Sequence, residues 1–320
     1  MDYKPNVVAG RALVGLTAAL LLFGSVVWIN HRYSPRAEQA RLQQEVRQLS
    51  SQLEQLKQEQ SMPSVVLNRY RNSICYIYGV YHVGIPDQRP GMRARLSGTG
   101  FVVADRLLAT NRHVAQPWYE DPESEALIRL GETPVLEKLI AFFPGAPTPV
   151  VVTPIVLSGG TDLAILRVEG TLGTRHLEPL PLADAATPPG ELVTVIGYPM
   201  GVAGMVAKSP AAIYDRLAYR HDDIGAVNEL AALALIRPSA TVGHLGDVVG
   251  DKLVYDAPTA HGGSGGPVFN SRGQVIGVNA AFIDGFSGGT LGIGIESLRP
   301  LIAAAQKNTK PNMLGELPHP

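Results

Sequence analysis

From Val65 onward the chain is a succession of short apolar runs, each closed by a turn: 74–83, 100–103, 107–109, 150–156, 163–168, 192–196, 268–269, 275–278 and 292–295. Runs of this length, rich in Val and Ile and bounded by Gly, Pro, Asn and Asp, read as strands. So many strands with so few long helices predict an all-β barrel or sandwich. The 34 glycines and 25 prolines suit strands joined by turns better than a helical bundle. The one cysteine, Cys75, excludes an internal disulfide, so the core must rest on burial alone, and 320 residues suffice for that. Cys75 lies in the run Ile74-Cys75-Tyr76-Ile77 and is expected as a buried strand residue, not a nucleophile. A net charge of −1 with no basic block argues against a broad nucleic-acid-binding surface. Two stretches break the pattern. Residues 211–236 read as one or two short helices inserted into the β domain, interrupted near Asp222-Asp223-Ile224-Gly225. Residues 118–149, acidic and then proline-rich, read as an inserted loop.

The first 63 residues are different. Ala12 to Ile29 carries no charge and is rich in Leu, Val and Ala. About 18 such residues is near the lower limit for crossing a hydrocarbon core of about 30 Å. The run is longer than the apolar region of a cleaved signal peptide, and Trp28 and Tyr33 suit an interfacial belt. An uncleaved transmembrane anchor over 12–29 is expected, within a segment 1–33. Lys4 and Arg11 precede the run, while Arg32, Arg36, Arg41 and Arg47 follow it. That count places the C-terminal side in the cytoplasm, although large following domains override such a bias. Residues 34–63 form a helical stalk. Leu42, Val46, Leu49, Leu53 and Leu56 alternate spacings of four and three, an a/d seam whose Val and Leu lean towards a parallel dimer. A short coiled coil that self-associates and a lone amphipathic helix both fit. Ser61-Met62-Pro63-Ser64 is expected to end the helix. A globular domain then occupies 64–302, with a short helix over 300–307, and 303–320 is a polar tail.

Within the globular part three stretches carry chemistry. His113 follows the apolar strand 107–109. Asp162 sits at the mouth of the apolar strand Leu163-Ala164-Ile165-Leu166. Ser264 is the centre of Gly262-Gly263-Ser264-Gly265-Gly266, a backbone free to turn sharply and to let another molecule approach. Singly, each reads as an ordinary loop residue. Together their order, His then Asp then Ser, is one of the chain orders of a nucleophilic triad. Ala109-Thr110-Asn111-Arg112-His113-Val114, Thr161-Asp162-Leu163-Ala164-Ile165-Leu166 and Gly262-Gly263-Ser264-Gly265-Gly266-Pro267 resemble the trypsin-like serine peptidases, most closely their disulfide-free HtrA/Deg branch. Ser97-Gly98-Thr99-Gly100-Phe101-Val102, Val195 to Gly201 and Gly273 to Asn279 extend the resemblance, which runs from about Val65 to Leu301.

The resemblance implies a pair of six-stranded antiparallel β-barrels with the site between them, and a serine endopeptidase acting on protein or peptide substrates. It implies no metal and no organic cofactor. Ser264 would be the nucleophile, His113 the general base and then acid, and Asp162 the group that orients the imidazole. The N–H groups of Gly262 and Ser264 would form the oxyanion hole. Pro258 would lie at the base of the specificity pocket, with Asn279, Ala280 and Ala281 as its wall, favouring small or medium apolar side chains over Lys or Arg. The peptidase domain would lie outside the cytoplasm. The chain departs from the family at Gly263, where Asp or Asn is usual. A partner for the oxyanion loop is therefore missing, and the loop is expected to be loose until substrate binds. No PDZ domain follows the barrels, so peptide-sensing regulation of that kind is not expected. His261 is taken as an exposed loop residue, and His221-Asp222-Asp223 as a solvated helix break rather than a metal site. The G-x-S-x-G pattern also fits the elbow of α/β-hydrolases, but that order needs its acid and histidine after the serine, where only His319 remains. A membrane-tethered binding protein that keeps the barrels without turnover is the alternative.

Overall fold

A computed structural model describes residues 7–32, 35–85, 92–170, 177–282 and 289–309. The chain divides into two compact units, Met1–Gln60 and Ser61–Pro320.

The first unit holds α1 (Val7–Arg32) and most of α2 (Pro35–Tyr70). The described side chains of α1 begin at Gly15, and Leu20 to Phe23 and Val26 to Ile29 among them are exposed. Among the described residues no helix is long and apolar enough to cross a membrane. The heptad residues Leu42, Val46, Leu49, Leu53 and Leu56 are likewise exposed along α2. The expected stop at Pro63 is corrected, because α2 continues through it to Tyr70. The helix gains its last turns from packing. Val66 and Tyr70 are buried, and the Tyr70 ring stacks on Phe269 at 5.9 Å. Burying an aromatic and a valine outweighs one lost helical hydrogen bond.

The second unit contains two closed antiparallel barrels of six strands. The first runs β1-β2-β3-β6-β5-β4, from β1 (Ile74–Gly84), β2 (Met92–Ala104), β3 (Leu107–Thr110), β4 (Thr133–Phe142), β5 (Val150–Leu157) and β6 (Ala164–Val168). The second runs β10-β11-β12-β9-β8-β7, from β7 (Leu192–Gly197), β8 (Ser239–Val249), β9 (Lys252–Tyr255), β10 (Pro267–Phe269), β11 (Val275–Phe282) and β12 (Thr290–Gly294). The apolar runs of the sequence do not alternate with polar residues because these strands are covered on both faces. On β1, Cys75 and Ile77 join the cluster with Val102, Leu108 and Leu166, while Ile74, Tyr76 and Tyr78 join another with Phe101, Phe142, Tyr198 and Phe269. Period-two geometry assigns the two sets to opposite faces of the strand. Aromatic contacts join the barrels: Tyr198 from the second packs on Tyr76 of the first at 5.6 Å, and its hydroxyl donates to Ile74 O at 3.0 Å. Cys75 is buried, its Sγ lies 3.4 Å from Gly100 O, and burial pushes the thiol up to about 12, so it is inert.

Two expectations need correction. Residues 118–149 are not a plain loop, since they hold α4 (Pro122–Arg129) and the barrel strand β4. The helical insertion begins earlier than 211 and has three helices: α5 (Gly201–Ala207), α6 (Ala211–Leu217) and α7 (Asp223–Ala232). Met205, Val206, Leu217, Val227 and Leu230 belong to the main core, so the insertion is part of the fold's support. A last helix, α8 (Ile295–Thr309), packs Leu298, Ile302 and Ala305 into the same core. The rest of the expected polar tail, 310–320, lies outside the described residues.

Candidate active site

The first barrel presents His113 and Asp162. β3 ends at Thr110, and Asn111 then turns the chain into α3 (Arg112–Ala115) with extended dihedrals, φ −75° and ψ 154°. Asn111 is buried, and its side chain reaches across to donate to Asp162 O at 2.8 Å. The Asp162 turn is tied off by Leu163 N to Thr161 O and by Ser158 N to Leu163 O, both 2.9 Å. Asp162 is thereby held beneath His113 by both carboxylate oxygens. Oδ1 accepts from His113 N at 2.9 Å, and Oδ2 lies 2.7 Å from His113 Nδ1. An acceptor-only carboxylate at this distance fixes the tautomer: Nδ1 carries the proton and Nε2 is left as the basic atom.

The second barrel presents Ser264 on the loop between β9 and β10. Gly262 adopts φ +89°, and a Cβ there would meet Tyr198 O at 2.5 Å, so only glycine fits. Gly265, at φ +86°, approaches the first barrel so closely that a Cβ would lie 2.1 Å from Thr99 O. That contact belongs to a polar seam between the barrels. Thr99 N donates to Ser264 O at 2.8 Å, and Thr99 Oγ1 donates to Gly262 O at 2.7 Å and accepts from Tyr198 N at 3.1 Å. Thr99 O in turn accepts from Thr110 Oγ1 at 2.7 Å. The backbone of Ser264 is thus tied through Thr99 to the strand end that leads into His113.

The directions of the Gly262 and Ser264 N–H groups follow from the carbonyls beside them. In a trans peptide the C=O and N–H point to opposite sides. His261 O accepts from Met200 N at 2.6 Å, which turns the Gly262 N–H the other way. Gly263 O accepts from Gly266 N at 3.1 Å and from Asn279 Nδ2 at 2.9 Å, which does the same for Ser264 N–H. Neither N–H donates to another group among the described residues. Although Gly263 brings no side chain, the loop carbonyls on either side of it are hydrogen-bonded in place.

Ser264 is not joined to His113 and Asp162. Among the described residues Ser264 Oγ donates to Ala280 O at 3.0 Å, and not to the His113 ring. Of the residues expected to line the pocket, Pro258 is exposed and follows the buried Ala257. Asn279 is 1 % exposed with its amide turned into the loop. Ala280 is half-buried beside Ser264 and Ala281 continues β11, its side chain lying outside the described residues. Of the other residues noted in the sequence, Asp222 caps α7 by accepting from Gly225 N at 3.0 Å, Asp223 pairs with Arg95, and His261 is exposed. Among the described residues no group of His, Cys, Asp and Glu could hold a metal ion. Thr99, Thr110, Asn111 and Tyr255 were not singled out by the sequence. Only the first three lie in stretches that carry the resemblance.

Comparison with known proteins fits this geometry. Residues 98–278 match the trypsin-like peptidase domain family. A serine protease of Mycobacterium tuberculosis is 29% identical over 216 residues, 66% of this chain and 43% of that protein. A probable periplasmic serine endoprotease, DegP-like, of Chlamydia pneumoniae is 29% identical over 215 residues, 66% of this chain and 34% of that protein. The matched region spans less than half the length of these curated relatives. Among solved structures, an HtrA-type protease with a decapeptide superposes with a TM-score of 0.53 at 14% identity, covering 78% of this chain and 68% of that one, a likeness of fold. With two six-stranded barrels and a family match from Gly98 to Val278, the chain belongs to the trypsin-like peptidase family.

Proposed function

We propose that the chain is a serine endopeptidase that cleaves protein or peptide substrates through Ser264, His113 and Asp162. The observation that carries this reading is the double hold of Asp162 on His113, at 2.9 Å to the backbone N–H and 2.7 Å to the ring. Ser264 Oγ leaves Ala280 O by rotation about one side-chain bond, at the cost of a hydrogen bond worth about 1 kcal/mol. It then gives its proton to His113 Nε2 and attacks the scissile carbonyl. The charge on that oxygen is met by the N–H groups of Gly262 and Ser264. The imidazolium, steadied by Asp162, protonates the leaving amine, and water repeats the sequence in reverse to release the acyl group. No step calls for a metal or an organic cofactor. Casein or a peptide library incubated with wild type and Ser264→Ala tests this. Wild type cleaves and the variant does not; equal turnover by both would end the assignment.

Attachment to a membrane through residues 12–29 belongs to the same proposal. Its support is the uncharged stretch within α1 and the apolar side chains exposed along the described part of that helix. The same reading puts the peptidase domain outside the cytoplasm, in line with the periplasmic DegP-like relative of Chlamydia pneumoniae. Alkaline extraction of membranes with and without residues 1–33 checks the attachment. Release of both forms alike would remove it. Self-association through the exposed seam from Leu42 to Leu56 is proposed with it and is read by sedimentation. A preference for uncharged side chains before the cut is carried over from the resemblance, with Ala280 beside Ser264 as its one described neighbour, and the peptide library reads that as well.

A further inference from the structure

Gly263 leaves the oxyanion loop without the side chain that the position before the nucleophile usually supplies. A side chain there would have to displace Thr259. A Cβ at Gly263 would lie 2.5 Å from Thr259 Oγ1 and 3.0 Å from Ala260 O. The space is filled from the neighbouring strand by Asn279. Its Nδ2 donates to Gly263 O at 2.9 Å and to Thr259 Oγ1 at 3.1 Å, and its Oδ1 accepts from the Tyr255 hydroxyl at 2.7 Å. Both ends of the amide are engaged, so its orientation is fixed: a flipped amide would set its oxygen against the Gly263 carbonyl. Asn279 and Tyr255 are each 1 % exposed, so water does not compete for these bonds. The backbone of Asn279 adds two more ties, accepting from Gly265 N and donating to Gly266 O, both 2.8 Å.

We propose that Asn279, held by Tyr255, is the positioning residue of the oxyanion hole. By fixing the Gly263 carbonyl it aims the Ser264 N–H outward, so the hole stands formed before substrate arrives. This rests on the reading of Ser264 as nucleophile. A brace of this kind acts on the transition state, where the oxygen is charged, more than on bound substrate.

The test uses the full chain in detergent with a peptide anilide, and compares wild type, Asn279→Asp and Tyr255→Phe. Asn279→Asp replaces the donor facing Gly263 O by an acceptor. Its kcat is expected to fall about 10–100-fold while KM stays within about threefold, below the loss seen when a direct oxyanion donor is removed. Affinity for a peptidyl boronate, which mimics the tetrahedral species, falls by the same factor. Tyr255→Phe, which removes one hydroxyl and keeps the ring, shows the same pattern at about threefold to tenfold. It decides the matter if the aspartate variant does not fold. A folded Asn279→Asp or Tyr255→Phe with kcat within twofold of wild type overturns the proposal. So does a loss that appears in KM alone, with boronate affinity unchanged. A wild type that neither turns over nor reacts with a serine-directed label overturns the underlying reading and the brace with it.

Discussion

The two barrels share a strand count and differ in how they present their catalytic groups. The first holds its pair with ordinary side-chain chemistry. Asn111 closes a strand end, Thr161 and Ser158 tie a turn, and a carboxylate takes both the ring and the backbone of His113. The second barrel presents Ser264 on backbone that only glycine can supply, at φ +89° and +86° on either side. Its ordering then has to come from elsewhere, from Asn279 and Tyr255 behind the loop and from Thr99 across the seam. The lesson is a division of labour. In the proposed mechanism the acid–base pair is a local construction, whereas the nucleophile and its hole are a long-range one.

That contrast can be broken at several points. Asp162→Asn should have the largest effect, about 10⁴-fold in kcat, because the amide no longer imposes the Nδ1–H tautomer. Structure should be little changed, since the fault is local to the first barrel; a loss under tenfold would mean that Asp162 only supports the turn. Gly262→Val strikes the second barrel. It should cost about 10²–10³-fold in kcat by moving a hole donor, and about 1–3 kcal/mol of stability from strained backbone. Both readouts should move together, unlike at Asp162, and thermal unfolding beside steady-state kinetics separates them.

Thr99→Val tests the seam between the barrels. It removes the donor to Gly262 O and the acceptor of Tyr198 N, leaving buried groups unpaired at about 1–3 kcal/mol each. The loss in kcat should be about tenfold, and unchanged kinetics would show that the seam serves stability alone. The smallest effect lies far from the site. The Arg93 guanidinium, aided by His82, holds the Glu137 carboxyl down to about 2 from an ordinary 4.5. A lowered folded value means that the pair stabilises the protein above pH about 4.5, and that this is lost as pH falls towards about 2. Glu137→Gln should flatten the acid limb of a stability profile between those values and leave kcat at neutral pH unchanged. The contribution is below about 1 kcal/mol, since the pair is on the surface.

How much of this was legible in the sequence follows the same divide. The strand ends that carry His113 and Asp162 lie in continuous apolar runs, and their order together with the resemblance of those stretches to the trypsin-like peptidases marks them. The glycine loop announced itself through composition. What stayed hidden depends on contacts between distant residues. β4 reads as loop because Pro134, Glu137 and Lys138 interrupt it, although Leu139 to Phe142 are buried. β8 is masked by exposed polar residues such as His244 and Asp247. α5 starts at a glycine with φ +54°, and α2 runs through a proline because Val66 and Tyr70 find a core to enter. Asn279 enters the sequence reading only as a pocket wall implied by the resemblance. Only its bond to a carbonyl 16 positions away shows its orientation.

The account stands on Ser264 being made nucleophilic by His113. The most direct measurement is the rate at which a fluorophosphonate modifies the native full chain, with the adduct placed by peptide mass spectrometry, for wild type and His113→Ala. The account predicts a single adduct on Ser264 and a rate that collapses in the variant. Labelling that is absent from wild type, or proceeds equally without His113, would contradict it.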